Sequence, residues 1–344
     1  MLTLTELLHA TAGRLEGARL GLIAREETLG RIVADSRDVE PGDIFWARVG
    51  PNHDGADFAL QAFARGALGV VAQRPIAPPA GCWSICVRDT EWALWQVAAA
   101  ICRRFTGHVI AVTGGEQRTT ACQLVRAALG EQATRTAGPR HGRSRVDPRV
   151  SVLAWRPAQN HAVLDLEAGR PGEVDALAAL CRPQIGVVIP AGPRRAEAPG
   201  RWQDVVQSKT ELLAALPANG WAVVDGDDGW TRQLIHKCRA RVVRTGQAET
   251  NDIVAADVEV RQGRLSFRVE GQAIDVPGCG PDDLTAALAA VAVGRVLERP
   301  LDVIAATLGK CTRPWPPIPV TAGQDATTPR SDIPRGEVQT TQAA

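Results

Sequence analysis

Apolar positions along the chain follow two spacings, and each spacing predicts one kind of element. Residues 89–105 repeat apolar side chains every three or four positions, and Asp89 or Thr90 can cap the first turn, so this segment predicts a helix. Short runs rich in valine and isoleucine, such as His108–Thr113, predict buried strands. The same patterns predict further helices at residues 3–12, 58–64, 119–130, 171–181, 202–216, 228–238, 282–297 and 301–308. They predict further strands at 31–34, 44–48, 69–72, 150–154, 162–166, 186–189 and 222–224, and a β-meander at 252–276.

Strands and helices alternate along most of the chain, which predicts an α/β fold. We expect a small N-terminal α/β domain over residues 1–87, followed by a central P-loop-type parallel-sheet domain with helices on both faces over residues 88–312. Residues 313–344 begin with closely spaced prolines and then contain very few large aliphatic residues. Because such a segment cannot build a core, we predict a disordered tail.

The composition narrows the class of partner. The chain of 344 residues has a formal net charge of +1, with 45% hydrophobic and 22% charged residues, so it predicts a soluble globular protein without a nucleic-acid partner. No apolar run is long enough for a membrane span, and Met1–Ala10 lacks the basic start of a secretory signal, so we expect a cytoplasmic protein. The eight cysteines form no CxxC pair and no zinc-type cluster with histidine, which predicts reduced thiols.

A strand, two glycines and a helix follow one another at residues 108–130, in the layout of a phosphate-binding loop. In such a loop the backbone N–H groups at the start of the helix face an anion. Gly114 and Gly115 occupy the turn, and Thr119 begins the predicted helix.

Several segments, taken together in their order and spacing, resemble the Mur ligase family over residues 1–312. In chain order they are Asp35-Ser36-Arg37, Pro41-Gly42-Asp43, Asp54-Gly55 with Asp57-Phe58, Val112-Thr113-Gly114 through Thr119-Thr120, Ala162 to Glu173 with Arg170-Pro171-Gly172-Glu173, Gly192-Pro193 through Lys209, and Asp225-Gly226-Asp227-Asp228. The proline-glycine-glutamate segment and the late meander favour the branch of the family that adds D-alanyl-D-alanine.

The resemblance implies a ligase that uses ATP and Mg²⁺ to activate the carboxylate of a UDP-muramoyl-peptide as an acyl phosphate, which an amine then attacks. It implies that the nucleotide is bound by Thr113, Gly114, Gly115, Arg118, Thr119, Thr120, Asp227 and Asp228. It implies metal binding by Thr119, Asp165 and Lys209, of which Lys209 is also the catalytic residue and is carbamylated in relatives. It implies that the UDP-sugar end of the substrate is bound by Ser36, Arg37, Asp54 and Gly55. The third domain that closes over the nucleotide in relatives is predicted to be absent.

The chain departs from the family pattern at the phosphate and metal positions. Gln117 replaces a glycine in a position that often needs a positive φ, and Arg118 replaces the loop lysine. Glu116 adds a carboxylate beside the predicted phosphate site. Asp165 replaces a glutamate, and Arg195 replaces a histidine although a guanidinium cannot bind a metal. These changes predict a degenerate P-loop.

Two functional hypotheses follow. In the first, the chain is a catalytically impaired Mur ligase homologue, a pseudoenzyme that acts as a binding or regulatory protein in peptidoglycan precursor synthesis. Its partners would be a UDP-muramoyl-peptide and another Mur ligase or cell-wall protein. In the second, it is an active ATP-dependent ligase with an atypical loop and a third domain supplied by another chain. A product without a selected role is a third possibility.

The same residues also have purely structural interpretations. The loop would then be only a strand-to-helix turn, with Thr119 as the helix cap. Lys209 would be a lysine on a helix surface, and Arg195 a surface arginine. Asp228 and its neighbour would cap a helix, and Arg37 would be solvated beside a turn.

Overall fold

The computed structural model describes residues 2–17, 28–50, 53–115, 117–130, 133, 147–153, 155, 159–166, 171–190 and 201–311. Within 201–205 only the backbone is described. The predictions for the tail, for Glu116, for Arg170 and for Arg195 lie outside the described residues.

The first part of the chain builds a mixed sheet with helices against it. Its elements are helix α1 (Leu4–Thr11), strands β1 (Arg14–Gly17), β2 (Ile32–Val33) and β3 (Ile44–Trp46), helix α2 (Ala59–Ala64), and strands β4 (Gly69–Ala72) and β5 (Trp83–Cys86). The strand order is β1-β5-β4-β3-β2; β1 runs antiparallel to β5, and the other pairs are parallel. A capping box of Thr3 and Glu6 starts α1, and left-handed Ala12 ends it.

The second part builds a parallel sheet with helices between its strands. Its elements are α3 (Thr90–Arg104), β6 (His108–Gly114), α4 (Arg118–Leu129), α5 (Pro148–Val152), β7 (His161–Asp165), α6 (Glu173–Cys181), β8 (Ile185–Ile189), α7 (Arg201–Ala215), β9 (Trp221–Asp225), α8 (Gly229–Leu234), β10 (Arg241–Gly246) and β11 (Ile253–Val254). The strand order is β11-β10-β9-β8-β6-β7, and every pair is parallel.

Helices cover both faces of this sheet. Alternate residues of a strand point to opposite faces. In β6, Ile110 and Val112 pack in a core with α4, whereas Val109 and Ala111 pack in a second core with α6 and α7. The predicted fold class is therefore confirmed.

A small antiparallel sheet and two helices follow. The elements are β12 (Ala256–Arg261), β13 (Arg264–Val269), β14 (Gln272–Pro277), α9 (Leu284–Val296) and α10 (Leu301–Leu308). The predicted meander corresponds to β12, β13 and β14, which pair antiparallel. Its first residues were assigned wrongly, because Ile253 and Val254 form β11 and extend the parallel sheet beside β10.

The predicted strand at residues 150–154 is wrong, since Pro148–Val152 is helical. The Asp147 side chain accepts a hydrogen bond from the Arg149 N–H at 2.9 Å, and Pro148 occupies the first turn. Proline fits that position because its missing N–H would have no partner inside the helix. The start signal at 147–148 therefore outweighed the β-branched residues that follow it.

Helix α3 contributes to two hydrophobic cores. Ala93, Leu94 and Val97 pack with the N-terminal sheet, whereas Ala98 packs with the parallel sheet. The Trp46 indole N–H donates to the Thr90 carbonyl oxygen at 3.0 Å and fixes the start of α3 against β3. None of the described helices is long and apolar enough to cross a membrane.

Candidate functional site

The candidate site lies along the edge where the parallel strands end. Strand β6 lies between β7 and β8, so the chain leaves β6 toward one side of the sheet and later returns on the other. In open α/β sheets this reversal forms a crevice beyond the carboxyl ends of the strands, and ligands bind there. The predicted loop after β6 starts at this crevice.

Gly114 ends β6 in a conformation that favours glycine. Its φ is +130°, and a Cβ there would lie 2.0 Å from the Ile189 carbonyl oxygen of β8. Gln117, by contrast, has a φ of −77°. The expectation that Gln117 occupies a positive-φ position is therefore wrong, and its side chain causes no backbone strain.

Arg118 replaces the loop lysine of the family and contacts the protein itself. Its side chain is 8% exposed. The Nε donates to the Asp165 carboxylate, and the Nη1 donates to the Gly114 carbonyl oxygen over 3.2 Å. The positive charge is therefore used to neutralise a carboxylate of the same site.

Thr119 and Asp165, two of the predicted metal ligands, lie together. The Thr119 hydroxyl donates to Asp165 Oδ2 over 3.1 Å, while Asp165 Oδ1 accepts from Arg118. Both carboxylate oxygens of Asp165 thus accept hydrogen bonds. The interpretation of Thr119 as the helix cap is wrong, because Gln117 holds the N-cap position without a side-chain cap bond.

The remaining loop residues are held by their neighbours. The Thr113 hydroxyl is buried and donates to the Leu166 carbonyl oxygen at 3.0 Å, so it joins the end of β6 to the residue after β7. Gly115 is buried, and Thr120 is half-buried in the first turn of α4. Thr113 therefore stabilises the loop through its hydrogen bond to Leu166.

Arg126 is a buried cation that sequence analysis did not single out. It lies eight positions after Arg118 on one face of α4, and its Nη2 donates to the Val163 carbonyl oxygen at 2.7 Å. Burial lowers the pKa of Arg126, although nearby Cys122 and Asp165 oppose this. Burial likewise raises the pKa of Cys122 well above its usual range. The sequence did contain a signal that Arg126 lies near Arg118. Arg118, Cys122 and Arg126 are spaced four residues apart, and residues four apart share a helix face.

Lys209 lies inside the protein. It is 1% exposed, and its Nζ is 3.8 Å from Asp228 Oδ2. Burial lowers the pKa of Lys209, and the charges of Asp228 and Asp225 oppose this. The interpretation of Lys209 as a helix-surface lysine is therefore wrong.

Asp228 also caps helix α8, as its structural interpretation predicted. Its carboxylate accepts from the backbone N–H groups of Trp230 at 3.3 Å and Thr231 at 3.2 Å. Asp227 instead holds the chain after β10, where it accepts from the Gln247 N–H at 2.6 Å and from Asn251 Nδ2 at 2.8 Å. Each carboxylate thus has a structural role.

Asp225 is the last residue of strand β9. Its Oδ1 accepts from the Asp227 N–H at 2.9 Å, and its Oδ2 accepts from the Thr285 hydroxyl at 3.0 Å. Burial raises the pKa of Asp225, although these hydrogen bonds oppose the rise. The residue joins β9 to the start of α9.

The predicted substrate residues of the first sheet form two capped turns. Asp35 accepts from the Arg37 N–H at 2.9 Å, and buried Ser36 donates to Gln61 Oε1 at 3.0 Å. The Arg37 side chain is 62% exposed, and its Nη2 is 2.6 Å from Asp35 Oδ2. As the structural interpretation predicted, Asp35 and Ser36 stabilise the turn and Arg37 faces solvent.

Asp54 and Gly55 form the second capped turn. Asp54 Oδ1 accepts from the Ala56 N–H at 2.9 Å. Gly55 allows a close approach, because a Cβ there would lie 2.6 Å from the Arg48 carbonyl oxygen. The side chain of Asp54 also lies 3.5 Å from Arg74 Nε. The turn therefore presents one carboxylate and one arginine at the surface.

The structure joins the predicted central residues into two groups, Arg118 with Thr119 and Asp165, and Lys209 with Asp228. Within the described residues, no three histidine, cysteine, aspartate or glutamate side chains are placed to hold a metal ion. Because Arg118 and Thr119 both donate to Asp165, Mg²⁺ does not fit this arrangement unless Arg118 moves away.

Comparisons with known proteins agree with the fold and the order of the segments. The family model described as Mur ligase middle domain matches residues 112–294. The UDP-N-acetylmuramoyl-tripeptide–D-alanyl-D-alanine ligase of Escherichia coli (strain K12) is 27% identical over 312 residues, which cover 89% of this chain and 67% of the relative. The ligase of the same name from Bacillus subtilis (strain 168) is 28% identical over 268 residues, covering 76% and 58%.

A solved structure shows the same fold. MurF from Acinetobacter baumannii superposes with a TM-score of 0.70 at 24% identity, covering 90% of this chain and 68% of that chain. This chain therefore spans 58% to 68% of the length of these three proteins.

Proposed function

Because the chain belongs to the Mur ligase family, we propose that it acts in peptidoglycan precursor synthesis as a homologue of the ligases that add D-alanyl-D-alanine. In this proposal it binds the precursor but does not carry out efficient ATP-dependent chemistry. The curated relatives act on UDP-N-acetylmuramoyl-tripeptide by name. A UDP-muramoyl-peptide is accordingly the proposed ligand, and another Mur ligase or cell-wall protein is the proposed partner. The cytoplasmic location stays a prediction, as does the domain boundary at 87/88.

The position of Arg118 carries the proposal. Its guanidinium is bound to Asp165, which is one of the two side chains predicted to hold Mg²⁺ near the loop. A lysine in this position would reach phosphate oxygens as a point charge. The arginine instead supplies the positive charge that the carboxylate needs, so the two groups satisfy each other without a ligand.

The burial of Arg118 sets the cost of releasing Asp165. Separating a buried ion pair costs about 3 kcal/mol when one partner stays buried without a replacement. That cost weakens binding of a metal–nucleotide complex about a hundredfold. Glu116 lies outside the described residues. In the sequence it belongs to the loop, to which it would add a second negative charge.

The proposed substrate site carries no such cost. Arg37 is exposed, and its ion pair with Asp35 lies in water, where such pairs contribute little. Arg37 can therefore turn toward a diphosphate and bind it through two N–H groups. This supports retained precursor binding with lost nucleotide binding.

Calorimetry on the purified chain tests the proposal. We expect no binding of ATP with Mg²⁺ at micromolar concentrations, and binding of UDP-N-acetylmuramoyl-tripeptide in the same buffer. The double variant Gln117→Gly/Arg118→Lys restores the family residues and should gain nucleotide binding. Arg126→Lys, which makes the same exchange on the same helix face outside the loop, should not.

Two outcomes would overturn parts of the proposal. Micromolar ATP binding by the unchanged chain would show that Arg118 leaves Asp165 at low cost, and would contradict the impaired site. Failure to bind the precursor would contradict the proposed ligand, whatever the result with ATP.

An active ligase with a third domain supplied by another chain is the second candidate. The buried position of Lys209 beside Asp228 favours it, because a lysine that had lost its role would not need to stay inside the protein. An assay of phosphate release from ATP distinguishes the two candidate functions. The assay contains UDP-N-acetylmuramoyl-tripeptide, D-alanyl-D-alanine and an added C-terminal domain of a relative. Release that disappears in Lys209→Met would establish the second candidate.

A further inference from the structure

Two cysteines far apart in the sequence meet where helices α3 and α6 pack together. Cys102 lies in the last turn of α3, and Cys181 is the last residue of α6. Their Sγ atoms are 3.9 Å apart. Both thiols are reduced in the structure. A disulfide needs a separation of about 2 Å, so the two sulfurs would have to approach by roughly 2 Å.

The two thiols differ in exposure. Cys102 is half-buried, whereas Cys181 is buried in the core that also contains Leu177. The hydrogen bond with Cys102 and burial both raise the pKa of Cys181. Cys102 is thus the more exposed residue of the pair, and Cys181 the more buried one.

We propose that Cys102 and Cys181 form a reversible disulfide when the protein meets a small-molecule disulfide such as oxidised glutathione. The Cys102 thiolate attacks one sulfur of the reagent, which forms a mixed disulfide and releases one reduced thiol. The Cys181 thiolate then attacks Cys102 Sγ and releases the second reduced thiol. Each protein thiol loses one proton, and the reagent gains the two electrons that the protein loses.

The proposed bond would enclose the candidate loop. The two cysteines are separated by 79 positions, and the segment between them contains Arg118 and Asp165. A covalent link of this kind stabilises a fold mainly by restricting the unfolded chain. It would also fix the end of α3, which packs on both sheets, against α6.

Cys238 and Cys86 have surroundings that differ from those of this pair. Cys238 packs against the same core, but its Sγ lies 3.8 Å from the Ala240 carbonyl oxygen. Cys86, half-buried like Cys102, lies in β5 of the first sheet. Cys86→Ser therefore provides a control that removes a thiol of similar exposure elsewhere.

Oxidation of the full chain with oxidised glutathione tests the proposal. We expect the count of titratable thiols to fall by two, and peptide mass mapping to find Cys102 joined to Cys181. The melting temperature should rise by about 5 °C on oxidation and return on reduction. Because the hydrogen bond with Cys102 and burial raise the pKa of Cys181, the bond should form faster at higher pH.

Variants and adducts decide the outcome. Cys102→Ser should lose both the cross-linked peptide and the rise in melting temperature, whereas Cys86→Ser should keep them. Mapping on the unchanged chain does not depend on the folding of any variant. A glutathione adduct on Cys102 without the cross-link, or retention of all thiols, would overturn the proposal.

Discussion

Two arginine–aspartate pairs of this protein have similar chemistry and opposite environments. Arg118 is 8% exposed and binds Asp165 at the end of the parallel sheet, whereas Arg37 is 62% exposed and binds Asp35 in the first sheet. Charges in water interact weakly and rearrange at little cost. A buried charge that loses its partner is costly. The exposed pair can therefore open for a ligand, whereas the buried pair resists opening.

Because of this difference, a segment that keeps its fold does not necessarily keep its ligand site. The loop after β6 retains its strand, its glycine turn and its helix, which together position Arg118 against Asp165. The first sheet retains capped turns whose polar groups reach solvent. Retained sequence segments thus have different consequences depending on whether their ion pairs are buried or exposed to solvent.

The largest expected effect comes from Asp165→Ala. This change leaves the buried Arg118 guanidinium without its carboxylate and should lower the free energy of unfolding by about 3 kcal/mol, measured by urea denaturation. Asp35→Ala, the matched change in the exposed pair, should cost about 1 kcal/mol through its lost cap. Equal losses in the two variants would contradict the contrast between the pairs.

Asp228→Ala should give the next largest effect. It removes a helix cap with two backbone N–H partners and also the carboxylate nearest to Lys209. We expect a loss of about 2 kcal/mol in urea denaturation. In the double variant with Lys209→Met the loss should be smaller, because no buried charge is left unpaired. A loss that is unchanged in the double variant would show that Lys209 does not depend on Asp228.

Arg37→Ala should change ligand binding and leave stability unaltered. If Arg37 binds the diphosphate of the precursor, its removal should raise the Kd for UDP-N-acetylmuramoyl-tripeptide about tenfold. The denaturation midpoint should stay the same, because the side chain is exposed. Arg74→Ala, an exposed arginine beside Asp54, provides the comparison. A Kd unaffected by Arg37→Ala would remove Arg37 from the proposed site.

The smallest expected effect concerns the pH dependence of stability. Burial lowers the pKa of Lys209 from the usual 10.5, so the folded protein releases this proton at a lower pH than the unfolded chain. Between the two pKa values the unfolded chain binds more protons, and the free energy of unfolding rises with pH. Urea denaturation across the alkaline range should show this rise, and Lys209→Met should lack it. The same slope in both proteins would contradict the assignment.

Much of the fold could be predicted from the spacing of apolar residues. Helix α10 and strand β4 have the predicted bounds, and α3 begins one residue after the predicted cap Asp89. Strand β10 was not predicted, because Arg241 and Arg244 lie on either side of its short apolar run. Helix α5 was predicted as a strand because a five-residue helix is too short to show a period.

The environments of the site residues were harder to predict. Lys209 comes three and four positions before Leu212 and Leu213, which are buried in the structure. Helical spacing could therefore have indicated the inner face of α7, although the sequence analysis left a helix-surface lysine as one interpretation. No comparable local signal exists for Arg118. Its partner Asp165 is 47 positions away, and their contact depends on the pairing of β6 with β7. Segment order identifies such positions, but only tertiary structure shows which charges neutralise each other.

Helix α3 couples the unfolding of the two sheets. One face of this helix completes the core of the first sheet, and its later residue Ala98 belongs to the core of the second. Melting either sheet would therefore expose apolar surface of α3 and weaken the other. We expect the two sheets to unfold in a single cooperative transition, with the amide hydrogens of α3 among the last to exchange with solvent.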